Sequence, residues 1–226
     1  MARDVFGFWR AGVPRSYSRL EPSKPLRVSV REFVAALRGL CLDVNLVMIG
    51  VDLFADADDE GVDYALLRAR EIYGRVGICI RSVAWFGVPT SEAAGLDRPT
   101  ELGQYHEMTD RWSGPDFAVD VFIPFHARIA GARGTDVGGQ SPQPGGCDKS
   151  SKKMSGAVVS LGSAEGMAIT LPHELGHYLG LGHVSDQEWQ NVMCPTALAF
   201  SETAIFYAEQ ASWMKIHCMI RAGLDP

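Results

Sequence analysis

Apolar positions along the chain alternate between two rhythms, one that suits strands and one that suits helices. Over residues 26–40, Val30, Phe33, Val34 and Leu37 are spaced like one face of a short helix. Residues 45–54 form a nearly continuous apolar run, which predicts a buried strand. The acidic run 56–60 suits a helix N-terminus, and Val62, Ala65, Leu66, Ala69, Ile72, Tyr73 and Val76 then recur at helical spacing. This predicts a long amphipathic helix packed on a sheet. Residues 78–86 and 117–125 read as strands, and 87–116 as mostly irregular, with His106 a solvated loop residue. Residues 131–155, rich in glycine, proline and serine, read as a long flexible loop. A short strand is expected over 155–161, directly before a helix capped by Ser163 or Thr170. Pro172 is placed in that helix's first turn, because a proline in a helix interior costs about 3 kcal/mol. Residues 201–222 read as a C-terminal helix with His217 a spectator, and residues 1–25 as an arm without periodicity.

The order of strand, helix, three strands, helix, turn and helix predicts an α+β fold with a twisted mixed sheet. The expected division is an N-terminal arm over 1–41 and a single domain over 42–226. Composition adds mainly exclusions. The 226 residues are 46% hydrophobic and 21% charged, ordinary for a globular protein. A net charge of −6 without a basic patch argues against nucleic acid and anionic membranes as partners. The apolar run 44–55, interrupted by Asn45 and Asp52, is too short to span a bilayer, and the first residues have no apolar core of signal-peptide length. A monomer is expected.

The chemistry lies in residues 173–183, His-Glu-Leu-Gly-His-Tyr-Leu-Gly-Leu-Gly-His. Residues four apart share a helix face, so His173 and His177 can present two imidazoles to one ion. Glu174 stands beside that ion, placed to hold a water. Gly180 can take left-handed geometry and turn the chain, letting His183 return as third ligand. Three imidazoles with a fourth position open to water make a catalytic zinc site, not a structural one. Five fixed positions arise by chance about once in 10⁴ chains of this length. The bland alternative is a buried helix with satisfied core histidines.

This stretch resembles the zinc-binding consensus of the metzincin metallopeptidases. That family also carries a methionine in a tight turn beneath the zinc. Asn191-Val192-Met193-Cys194-Pro195-Thr196 supplies Met193, and its Met-Cys-Pro-Thr order is most similar to the matrixin form. Val184, after the third histidine, matches no common subfamily label. The resemblance implies an upper lobe (42–180) with the sheet, a small helical and irregular lower lobe (181–226), and one catalytic zinc in the cleft between. It implies that the last strand before the zinc helix lies at the sheet edge, where unpaired backbone groups can bind an extended peptide. It also implies that Pro195, Thr196, Ala197 and Leu198 wall a substrate pocket of apolar preference, and that the protein is exported. Structural calcium at Asp136 or Asp148 could be imagined, but the matrixin ligand pattern is absent.

The expected activity is zinc-dependent endopeptidase cleavage of protein or peptide substrates. Zinc lowers the pKa of its water to about 7, and Glu174, as general base, takes that water's proton and delivers it to the leaving amine. Alternatives are a zinc-containing binding module without turnover and a zinc hydrolase of non-peptide amides. Five cysteines leave at least one thiol unpaired within the chain. Cys79 reads as a buried free thiol, Cys194 and Cys218 as a candidate bridge, and Cys147 as a candidate zinc-blocking thiolate.

Overall fold

The computed structural model describes residues 18–20, 39–127, 129, 138–149, 154–196 and 200–223. The helix expected over 26–40 lies almost wholly outside these residues. Within the region read as an arm, Ser18–Leu20 forms β1. The first long strand, β2, is Leu40–Ile49, several residues earlier than the apolar run suggested. Asn45, which looked like a strand start, is buried in its middle and satisfied by Asp116 and Asp120. Val51–Leu53 instead winds into a 3-10 turn.

Helix α1, Asp56–Arg75, forms where the periodicity placed it, with Asp56, Asp58 and Asp59 in its first turn, where the helix dipole favours negative charge. Strand β3 (Ile78–Val88) follows, then the short α2 (Thr90–Ala93) and α3 (Leu102–Trp112). The last is a correction to the irregular reading of 87–116. Its Tyr105, Met108, Thr109 and Trp112 are buried at helical spacing, and Gln104 accepts from the backbone N–H groups of Thr100 and Glu101. His106 is exposed, but on a helix. Strands β4 (Val119–Pro124), β5 (Gly139–Gln140) and β6 (Ala157–Val159) lead to α4, Ala164–Tyr178. Only the eight residues Ala208–Lys215 (α5) of the expected C-terminal helix are α-helical, before β7 at Arg221–Ala222.

The strands make one mixed sheet in the order β1-β3-β2-β4-β6-β5, with β7 added beside the start of β2. Strands β2, β3, β4 and β6 are parallel, while β1, β5 and β7 run antiparallel to their partners. Alternation along β2 divides the core. Leu42, Val44, Leu46 and Met48 face α1 and α4, while Val47 and Ile49 face α3. The first cluster runs on through Val192, Met193, Phe206 and Met214, so the chain after Gly180 packs into the same core as the helices.

The edge beside α4 is therefore not the strand before the helix. Strand β6 is covered by β5, through Gly139 against Val159 and Gln140 against Val158, and β5 forms the edge. The cysteine readings also change. Cys79 is not a free thiol: it bridges Cys41, its register partner across β2 and β3. Cys218 bridges Cys147 rather than Cys194, so Cys147 is not a zinc-blocking thiolate and Cys194 is the buried free one.

Candidate metal centre

Helix α4 is capped by Ser163, whose Oγ accepts from the Gly166 N–H at 3.1 Å. Pro172 sits well inside the helix, not in its first turn. Its carbonyl accepts from the buried Tyr73 hydroxyl at 3.1 Å. Met167, Ala168, Leu171 and Leu175 anchor the helix in the core. The helix stops as the glycine suggested. Gly180 has φ 99°, the Leu181 N–H donates to Gly176 O at 2.9 Å, and the Gly180 N–H donates to His177 O at 2.9 Å. This pair of bonds satisfies the last carbonyls and reverses the chain.

The reversal carries His183 back to the helix. Its Nε2 lies 3.2 Å from Nε2 of His173 and 3.0 Å from Nε2 of His177. His173 Nδ1 lies 2.6 Å from Val192 O and His177 Nδ1 lies 2.8 Å from Leu181 O. A carbonyl only accepts, so both Nδ1 atoms carry the proton and both Nε2 atoms hold a free lone pair. Burial holds His173 down to about pKa 4 and lowers His177, which keeps both rings neutral at ordinary pH. Lone pairs converging at such spacing suit a shared cation. Zinc–nitrogen bonds of about 2.0–2.1 Å at tetrahedral angles place the nitrogens about 3.3 Å apart. Among the described residues, these three histidines are the group able to hold a metal ion.

Glu174 is buried beside the triad, and its Oε2 has no hydrogen-bond partner among the described residues. Loss of hydration pushes its carboxyl up to about pKa 8. An orphaned buried carboxylate oxygen is rare and calls for a partner the protein does not itself supply. The wall it faces is β5: a Cβ at Gly139 would stand 2.7 Å from Glu174 Cγ and 2.8 Å from Oε1. The same segment continues along the helix, where a Cβ at Gly145 would lie 2.4 Å from the Tyr178 ring.

Met193 is fully buried behind the helix. A Cβ at Gly176 would meet its Sδ at 2.5 Å, so the glycine between Leu175 and His177 is what lets the thioether approach. Asn191 builds the turn, its Oδ1 accepting from the Met193 N–H at 2.8 Å while its amide donates to Gln210.

The chain is similar in fold to solved structures. Metalloproteinase-II from Bacteroides fragilis matches over 78% of this chain and 52% of its own length, at 14% identity and a TM-score of 0.50. This chain thus spans about half of that protein. Archaemetzincin from Methanopyrus kandleri matches over 77% of this chain and 93% of its own, at 18% identity and a TM-score of 0.48. The first likeness shows a shared fold. No family profile matches the sequence, and no curated protein does.

The structure thus brings together His173, Glu174, His177, His183, Gly180 and Met193. Of the pocket residues, Pro195 is exposed and Thr196 is half-buried, its Oγ1 3.1 Å from Cys194 Sγ; Ala197 and Leu198 lie outside the described residues. Asp136 lies outside them too, and Asp148 is exposed. Sequence reasoning missed Gly139, Gly145 and Gly176. For Gly176 the signal was its position inside a buried helix, where glycine costs about 1 kcal/mol and so implies a close neighbour.

Proposed function

We propose that the protein is a zinc-dependent endopeptidase of metzincin type, with a methionine turn closest to the matrixin form. The observation that carries this reading is the convergence of the Nε2 atoms of His173, His177 and His183 beside a buried carboxyl whose Oε2 has no partner among the described residues. His173, His177 and His183 hold the ion. When bound, it supplies Lewis acidity, acidifying water and polarising a carbonyl.

The remaining steps belong to the chain. Glu174 accepts the proton of the attacking water and passes it to the departing amine. The carbonyls of Val192 and Leu181 fix the tautomers of His173 and His177, keeping Nε2 free for the ion. Met193 gives apolar support and is not a ligand. The edge strand β5 offers backbone groups to an extended peptide, and residues 195–198 form the apolar pocket beyond the cut. A peptide library showing a charged preference there would refute the pocket assignment. Two disulfides support an oxidising compartment and hence export.

Casein digestion by wild type and Glu174→Gln, with zinc content measured in both, tests the reading. We expect a loss on the order of 10²–10⁴-fold with zinc retained. Equal cleavage by both proteins removes Glu174 as base. Zinc uptake without cleavage by wild type favours a binding module, and cleavage confined to small non-peptide amides favours an amidase.

A further inference from the structure

Strand β5 has two residues, yet it touches the one carboxylate on which the proposed reaction depends. A methyl group at Gly139 would overlap Glu174 on two atoms and the Val158 carbonyl on a third, at 2.7 Å. Nothing flexible separates the strand from the side chain: the backbone of Gly139 is itself the surface against which Glu174 rests. The strand cannot readily give way. Gly139 pairs with Val159, the Ser160 N–H donates to Gly138 O at 2.8 Å, and Gly138 lies against Thr170 one helical turn before Glu174. On the other side, the Gly145 N–H donates to Tyr178 O at 2.8 Å and the Tyr178 hydroxyl donates to Gly146 O at 2.9 Å. Beyond these the segment is joined covalently through Cys147 to Cys218.

Resting on the endopeptidase reading, we propose that Gly139 is a positioning residue: its bare backbone sets where the Glu174 carboxylate stands relative to the histidine triad. No hydrogen bond among the described residues holds Oε2, so steric contact with β5 replaces the polar partner that would otherwise orient it. Glycine is required because any side chain would occupy the volume of the carboxylate. Displacing a reacting group by about 1 Å costs on the order of 10²-fold in rate, while metal affinity depends on other atoms.

A double-mutant cycle on the zinc-loaded protein tests this, with kcat, KM, zinc stoichiometry and Tm measured for wild type, Gly139→Ala, Glu174→Gln and the double variant. Expected are a fall in kcat on the order of 10²-fold for Gly139→Ala, full zinc, and no further loss of kcat when Gly139→Ala is added to Glu174→Gln. Gly145→Ala, which strains the same segment against Tyr178 instead, should lower Tm and leave kcat within about threefold. Equal loss from Gly139→Ala in both backgrounds, or equal loss of kcat from Gly145→Ala, overturns the proposal. Should Gly139→Ala not fold, Gly138→Ala carries the same cycle with a smaller shift of the strand, and an unchanged kcat there overturns it as well. Activity equal to wild type in Glu174→Gln alone would instead strike the endopeptidase reading.

Discussion

Residues 173–183 and residues 138–149 lie against each other, yet one announces its role in sequence and the other hides it. The first is a set of chemically distinctive side chains on one helix and one turn, so spacing alone brings them together. The second is mostly glycine, proline and glutamine, with one serine, one cysteine, one aspartate and one lysine, and it reads as a loose connection. In the structure it is a strap fixed at four places: β5 pairs with β6, Gly145 and Gly146 bond Tyr178, Cys147 bridges Cys218, and Lys149 is buried against Asp116 and Asp120 at 2.7 and 3.0 Å. Glycine there means close approach, not freedom. A sequence shows which side chains are present; it does not show which backbone stands against them.

The largest effect that sharpens the contrast is on the helix side. His183→Ala should leave the fold intact and remove the ion, lowering peptide cleavage at least as far as loss of the base, on the order of 10²–10⁴-fold. Zinc stoichiometry after dialysis and circular dichroism check both halves. If the variant keeps a full equivalent of zinc, the third ligand is wrongly assigned.

On the strap side, replacing Cys147 and Cys218 with serine opens a loop spanning 71 residues of sequence. The entropy of that loop predicts a loss of about 4 kcal/mol, read from urea unfolding. A midpoint equal to wild type would show that the strap needs no covalent anchor.

The metal-free protein allows a test of comparable size at the point of contact. Glu174 titrates near pH 8 when folded against an ordinary 4.5, so the folded state binds the extra proton between these values and stability falls as pH rises through that window. Below about pH 6.5 the lowered imidazoles of His173 and His177 act in the opposite sense, because the unfolded chain then binds protons that the folded one refuses. The carboxylate's effect should therefore stand alone from about pH 6.5 to 8, within a full shift worth on the order of 5 kcal/mol. Glu174→Gln should flatten that slope. An unchanged slope would place the carboxyl in water rather than against β5.

The smallest effect is Tyr178→Phe, which keeps the ring under Gly145 and removes the bond to Gly146 O. It should cost about 1 kcal/mol by denaturant unfolding and leave zinc content unchanged.

Legibility followed whether the signal was local. The long helix α1, the histidine helix α4 and the Gly180 reversal were readable, because apolar period and turn chemistry act within a few residues. The start of α4 stood open between Ser163 and Thr170 until Ser163 proved to be the cap. Helix α3 was readable too, from Tyr105, Met108 and Trp112, but Gly103 and the surrounding turns masked the period. The boundaries of β2 were not readable, because Asn45 counts as polar until Asp116 and Asp120 are brought beside it from more than 70 residues away. The cysteines were least readable of all. Cys41 meets Cys79 because two parallel strands set them in register, a pairing that chain spacing does not contain.

By itself, then, the sequence determined the donor set: three imidazoles and a carboxylate whose separations on a helix and a glycine turn leave few other arrangements. Only the tertiary structure decided what surrounds them. It chose β5 rather than β6 as the edge, paired the cysteines, and laid Gly139 against Glu174. These are contacts between segments distant in the chain, selected by the packing of the whole core, and no local pattern of residue types encodes them.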